Sequence, residues 1–193
     1  MANLPNTKMP DDEKLRELIL HICRRSEGDP KFGATKLNKL LFYADFLAYR
    51  QLGVPITGHS YQRLPNGPAP RSIVPFLRSM EARGDIARSE HDYFGKKQIK
   101  AVALRDADLS RFTGAEIGLV DSIIGDCWGK TAKQISDMSH RFIGWMLAED
   151  GETIPYSVAL TRFGKPTEND MEIGRSMADE LRALSEECRS NAG

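Results

Sequence analysis

The stretch Thr35–Gln51, TKLNKLLFYADFLAYRQ, sets the architecture of this chain. Leu37, Leu40, Leu41, Ala44, Leu47 and Ala48 fall on one stripe at helical spacing, and Phe42, Phe46 and Tyr49 form a second stripe beside it. A helix with one apolar stripe lies on a core; a helix with two is covered on most of its sides. The stretch therefore predicts a central buried helix, ended by Gly53 and Pro55.

Towards the N-terminus, a first helix is expected to start near Asp11–Asp12, whose charges suit a helix N-terminus. It carries Leu15, Leu18, Ile19 and Ile22 on one face, is broken by Gly28, Asp29 and Pro30, and is preceded by a loose arm over residues 1–10. Towards the C-terminus, Ile56–Leu64 reads as extended. Pro65-Asn66-Gly67-Pro68-Ala69-Pro70 then holds three prolines and one glycine in six residues, which predicts a rigid turn. Ser72 is placed to cap a third helix with Pro75 in its first turn, apolar on Ile73, Val74, Leu77 and Met80 and stopped by Gly84. Two short strands, Ile86–Ser89 and Gln98–Leu104, flank a polar tip containing Gly95, Lys96 and Lys97. Helix, turn, helix and hairpin is the element order of a winged-helix unit.

The remainder reads as helical. Thr113 with Glu116 and Thr131 with Gln134 are two capping boxes, and Thr167 opens a last amphipathic helix over 167–190 with Met177, Leu181, Leu184 and Cys188 on one stripe. The expected class is α+β and mostly helical: a central buried helix, a short winged-helix-like β-hairpin and a helical C-terminal half, in one domain over 1–193.

The chain has 193 residues, 40% of them apolar, with 27 basic and 27 acidic side chains. This is the composition of a globular protein, not of a disordered or collagenous one. The zero net charge is a cancellation: residues 1–30 sum to −1, 31–105 to +8 and 106–193 to −7. Two readings follow. Either the halves attract one another within the fold, or a bipolar surface steers a charged partner. Cys23, Cys127 and Cys188 are odd in number and far apart, which suits reduced thiols on buried helix faces. No run approaches the roughly 20 apolar residues of a membrane span, and Met1–Pro10 has no apolar signal core, so a cytoplasmic protein is expected.

Catalytic motifs are missing. The sequence has no GxxxxGK[ST], GxGxxG, HExxH or GxSxG, and His21, His59, His91 and His140 show no ligand spacing. No enzyme activity, cofactor or metal is expected. The densest special chemistry is Tyr61–Arg71, where proline and glycine stiffen the backbone and Tyr and Arg are residue types that dominate interfaces. Lys96 and Lys97 form a second basic feature, suited to phosphates if the hairpin is a wing.

Lys36-Leu37-Asn38-Lys39-Leu40-Leu41-Phe42-Tyr43-Ala44-Asp45 resembles the KLxKLLYYA-type helix that opens the SocA-like Panacea domain, a family once known as a domain of unknown function and as phage-associated proteins. Tyr61–Pro70 resembles that family's aromatic–basic stretch ending in a Gly-Pro turn, with Asn66 where an aromatic is common. Ile135-Ser136-Asp137-Met138-Ser139-His140, then Trp145, then Gly151–Tyr156, is similar to its third motif. The resemblance covers about 32–160. It implies an antitoxin that neutralises a cognate toxin by direct binding, some members also acting as proteolytic adaptors for an ATP-dependent protease. Tyr61, Arg63, Asn66, Gly67, Pro68, Arg71 and Trp145 are the expected partner-binding residues. The rival reading is a winged-helix DNA-binding regulator. A homodimer through the last helix is compatible with either, and an acidic protein surface is the first partner to expect.

Overall fold

A computed structural model describes residues 9–93 and 96–161, those of 91–93 and 96–98 by backbone alone, together with 171, 172, 175 and 176. Residues 1–8 of the expected arm over 1–10, the tip residue Gly95 and all but four residues of the expected last helix, including its Met177–Cys188 stripe, lie outside them.

In chain order the elements are α1 (Asp12–Arg25), α2 (Ala34–Leu52), β1 (Tyr61–Gln62), β2 (Ala69–Pro70), α3 (Ile73–Ala82), β3 (Ile86–Tyr93), β4 (Lys96–Ala103), α4 (Gly114–Cys127), α5 (Ala132–Ser139), α6 (Ile143–Leu147) and β5 (Thr153–Ile154). Short 3-10 turns follow β4 and β5. β1 is the middle strand of an antiparallel sheet ordered β2-β1-β5, with Tyr61 opposite both Pro70 and Ile154. β3 and β4 form a separate hairpin running from Ile86–Ala103 to Tyr93–Lys96. The protein is thus mostly helical with small antiparallel sheets, as the sequence predicts.

The local signals act as read at most ends. Asp11 accepts from the Lys14 amide at 2.8 Å and caps α1. Gly53, at φ 81°, closes α2 with the left-handed turn that a side chain would strain. Both capping boxes are formed. Ser72 departs from expectation. It precedes α3 in a left-handed conformation, φ 58°, and its hydroxyl makes no capping bond. The expected strand over Ile56–Leu64 shrinks to Tyr61–Gln62: Ile56 and Thr57 are buried ahead of it, and Thr57 bonds to Asp45 of α2 and, through its carbonyl, to the Asp11 amide.

α2 is the centre of the core. Both its stripes are covered: Leu37, Leu40, Leu41, Phe42, Ala44, Phe46, Ala48 and Tyr49 are buried, packed with α1, β2, α4 and α5. Phe42, Phe46, Tyr61, Phe142 and Tyr156 form an aromatic cluster against it, with ring centroids 4.4–6.2 Å apart.

α1 is more enclosed than its single apolar face predicts, because α2, β4 and α4 surround it. Its buried charges are therefore paired across the fold. Lys14 Nζ meets Glu116 Oε1 at 2.6 Å, and His21 Nε2 lies 2.9 Å from Asp121 Oδ1. Glu17 takes both terminal nitrogens of Arg105, at 2.7 and 2.9 Å.

Asp45 is fully buried in the middle of α2, and burial raises its pKa against three donors that oppose the shift. The Thr57 amide donates to Oδ1 at 2.7 Å, the Thr57 hydroxyl to Oδ2 at 2.5 Å, and the Tyr61 hydroxyl lies 2.8 Å from Oδ2. One carboxylate thus folds the chain after α2 back onto the helix. Asp45→Ala leaves all three donors without that acceptor and should cost about 3 kcal/mol or more in urea unfolding. Tyr61→Phe removes one donor and should cost about 1–2 kcal/mol. A loss below about 1 kcal/mol for Asp45→Ala would show that the carboxylate does not organise this segment.

Candidate functional site

The rigid turn joins β1 to β2, and its carbonyls are claimed by side chains from three different helices. Trp145 Nε1 of α6 donates to the Leu64 carbonyl at 3.0 Å. The Ser136 hydroxyl of α5 donates to the Asn66 carbonyl at 3.0 Å, and Lys39 Nζ of α2 to the Pro68 carbonyl at 2.7 Å. Within the turn, the Gly67 amide donates to the Leu64 carbonyl at 2.8 Å. Two main-chain bonds at 2.9 Å, Arg63 N–H to Glu152 and Gly151 N–H to Arg63, hold the segment before β5 alongside.

Gly67 is required twice over. Its φ is +95°, and a Cβ there would meet the Ser139 hydroxyl and stand 2.7 Å from Lys39 Cε. The turn therefore lies in direct contact with α2 and α5.

The seven predicted contact residues converge on this turn but divide by depth. Tyr61 is 0% exposed, and its hydroxyl serves Asp45 and the Leu41 carbonyl. Gly67 and Pro68 are also buried. These three support the turn from beneath and offer a partner no surface in this conformation. Pro65 and Asn66 are exposed at the apex. Arg71 is exposed and donates to the Gly151 carbonyl at 2.5 Å and to Thr153 Oγ1 at 2.9 Å. Arg63 and Trp145 are half-buried together, the guanidinium 4.6 Å from the ring centroid. Arg63 also donates to the Ala148 carbonyl at 2.9 Å and stands 3.6 Å from Asp150. Its head is thus structural as well as partly exposed.

Four residues here were not singled out as site residues from sequence: Lys39, Ser136, Ser139 and His140. The His140 ring stacks on Trp145, centroids 3.9 Å apart and 13° from parallel, and burial holds its pKa below the usual histidine value. The Ser139 hydroxyl bonds to the Ser136 carbonyl at 2.8 Å, not to its neighbour His140. The available signal was a lysine, Lys39, on a helix whose stripes predict cover on most sides. A charge there must find an internal acceptor.

The arrangement is a braced turn with an exposed apex. Among the described residues no group of His, Cys, Asp and Glu is arranged to hold a metal ion, and no helix is long and apolar enough to cross a membrane. Cys23 and Cys127 are buried, and burial pushes the Cys23 thiol up to about 12.

Lys39 is 1% exposed, and burial lowers its pKa from 10.5 to about 7. Between those values the unfolded chain holds a proton that the folded chain has lost, so stability should rise with pH across that window. Lys39→Met should abolish this rise in urea midpoints measured from about pH 6.5 to about 9.5, and an unchanged slope would place the titration elsewhere. Gly67→Ala should cost at least about 2 kcal/mol, from left-handed strain plus the contact with Ser139 and Lys39.

Residues 37–146, more than half of the chain, match the family model described as antitoxin SocA-like, Panacea domain. No curated protein and no solved structure matches the chain. The match contains the helix that supplies Lys39, the turn itself, and the Ser136 and Trp145 that close on it. Because that match covers more than half of the chain, the chain belongs to the antitoxin SocA-like, Panacea domain family.

Proposed function

We propose that this protein is an antitoxin that neutralises a cognate toxin by binding it directly, without catalysis, at the braced turn. The observation that carries the reading is the clamping of Leu64, Asn66 and Pro68 by three separate helices, which leaves Pro65 and Asn66 exposed on a backbone already held in place. A surface ordered before binding loses little conformational entropy on association. Asn66 and Arg71 form the exposed contacts and Arg63 with Trp145 the half-buried anchor beside them, while Tyr61, Gly67 and Pro68 hold the shape. Arg and Trp are the residue types that most often dominate binding energy.

An acidic toxin surface fits the cationic Arg63 and Arg71. The buried thiols suit a reducing cytoplasm. Delivery of the bound toxin to an ATP-dependent protease is the adaptor form of the same binding, and it would appear as a shortened toxin half-life.

The test is co-expression with the adjacent open reading frame. Wild-type protein should rescue growth, and Asn66→Glu should weaken toxin binding at least about tenfold while leaving the melting temperature nearly unchanged. Arg63→Glu should lower both binding and stability, because the Ala148 bond and the Trp145 stack are lost together. A neighbour harmless on its own, or one still lethal beside wild-type protein, would overturn the proposal.

A further inference from the structure

A second cationic feature of the described surface lies on α3. Ile73 and Met80 are buried on its inner side and Phe76 and Leu77 are half-buried beside them. The outer side exposes Val74, Pro75, Arg78, Ser79 and Ala82, and Arg83 at the C-cap. β3 packs against the inner side.

The charges on this face are met only in part by the described residues. Arg71, just before α3, bonds only to neutral groups: the Gly151 carbonyl, Thr153 Oγ1 and Gln62 Oε1. Arg78 is exposed and makes no hydrogen bond or close ion pair among the described residues, its charge acting at longer range on Glu81. Arg83 stands 3.6 Å from Asp85, whose carboxylate Arg105 already holds at 2.7 Å. Glu81, the acidic residue within α3, is bound by Arg88. Among the described residues of the acidic half, the ion pairs to other parts of the chain run largely to α1, through Lys14–Glu116, Arg24–Asp106 and Arg25–Asp121.

We propose that the solvent face of α3 binds duplex DNA, with Arg71, Arg78 and Arg83 on phosphates. α3 has ten residues and is therefore about 15 Å long. The major groove of B-DNA is about 12 Å wide, so guanidinium groups before, within and after the helix reach phosphates on both of its walls. Ser79 and Ala82 are small neighbours of Arg78 and permit a close approach. The hairpin follows α3 directly, with Lys96 and Lys97 at its turn end. This is the order in which a recognition helix and a wing meet a duplex. The proposal does not depend on the toxin reading, because the two faces use different residues apart from Arg71.

Fluorescence anisotropy with the full-length protein tests it, using a labelled duplex taken from the DNA upstream of its own reading frame and a scrambled duplex. Three phosphate contacts predict a salt slope of about −2.7, which is a loss of about 40-fold between about 50 and about 200 mM KCl. Arg78→Ala, which preserves helix propensity, should reduce that slope by about 0.9, and Arg78→Glu should weaken binding at least about tenfold at the lower salt. Both variants should melt like wild type and still neutralise the toxin. No binding at about 50 mM salt with about 50 μM protein would overturn the proposal. So would Arg78→Glu binding as wild type does. Loss of toxin neutralisation in Arg78→Glu, with no duplex binding by wild type, would assign the face to the toxin instead.

Discussion

An ionisable group buried on an enclosed helix must find its polar partners within the protein, and α2 carries three such groups. Lys36, Lys39 and Asp45 are each 1% exposed or less. A buried polar group left without a hydrogen bond costs free energy, and each of the three is met by a different piece of chain. Lys36 takes Asp29 at 2.6 Å and the Cys127 carbonyl at 3.0 Å, joining the α1–α2 connection to the end of α4. Lys39 takes the Pro68 carbonyl and holds the turn. Asp45 takes Thr57 and Tyr61 and folds the following segment back. The apolar stripes of α2 enclose it, and its polar atoms then decide which loops lie against it.

The setting of the Pro-Gly turn is a consequence of that arrangement. A turn of prolines and glycine is stiff by itself, but stiffness does not orient it. Orientation comes from side chains on α2, α5 and α6, which contact the turn at alternate residues. The stack of Trp145 on His140 and of Arg63 on Trp145 extends the brace to the rim. Apex and support are thus separated: Asn66 and Pro65 face solvent while Tyr61, Gly67 and Pro68 lie below.

The charge partition acquires a structural meaning. Among the described residues, the first 30 residues pair with both flanking segments: with the acidic half through Lys14–Glu116, Arg24–Asp106 and Arg25–Asp121, and with the +8 segment through Lys36–Asp29, Arg16–Asp85 and Arg105–Glu17. Arg63–Asp150 at 3.6 Å joins the +8 and −7 segments directly. Arg71 and Arg78 are exposed and form no close ion pair among the described residues.

The sequence by itself determined the central helix, both capping boxes, the hairpin and the stiffness of the turn. Each of these is written in neighbouring residues: periodicity records which sides of a helix are apolar, and caps and turns are local chemistry. Sequence also listed residues that lie together in the fold, since Tyr61–Arg71 and Trp145 do meet. Only the tertiary structure decided which of them face outward. Tyr61 read as an interface residue because its type favours interfaces, yet a buried carboxylate 16 positions away claims its hydroxyl. Lys39 read as one polar position in a helix motif, yet it holds the turn through a carbonyl 29 residues further on. Those partners are set by how the chain returns to α2, and the spacing of residues within a helix carries no record of that return.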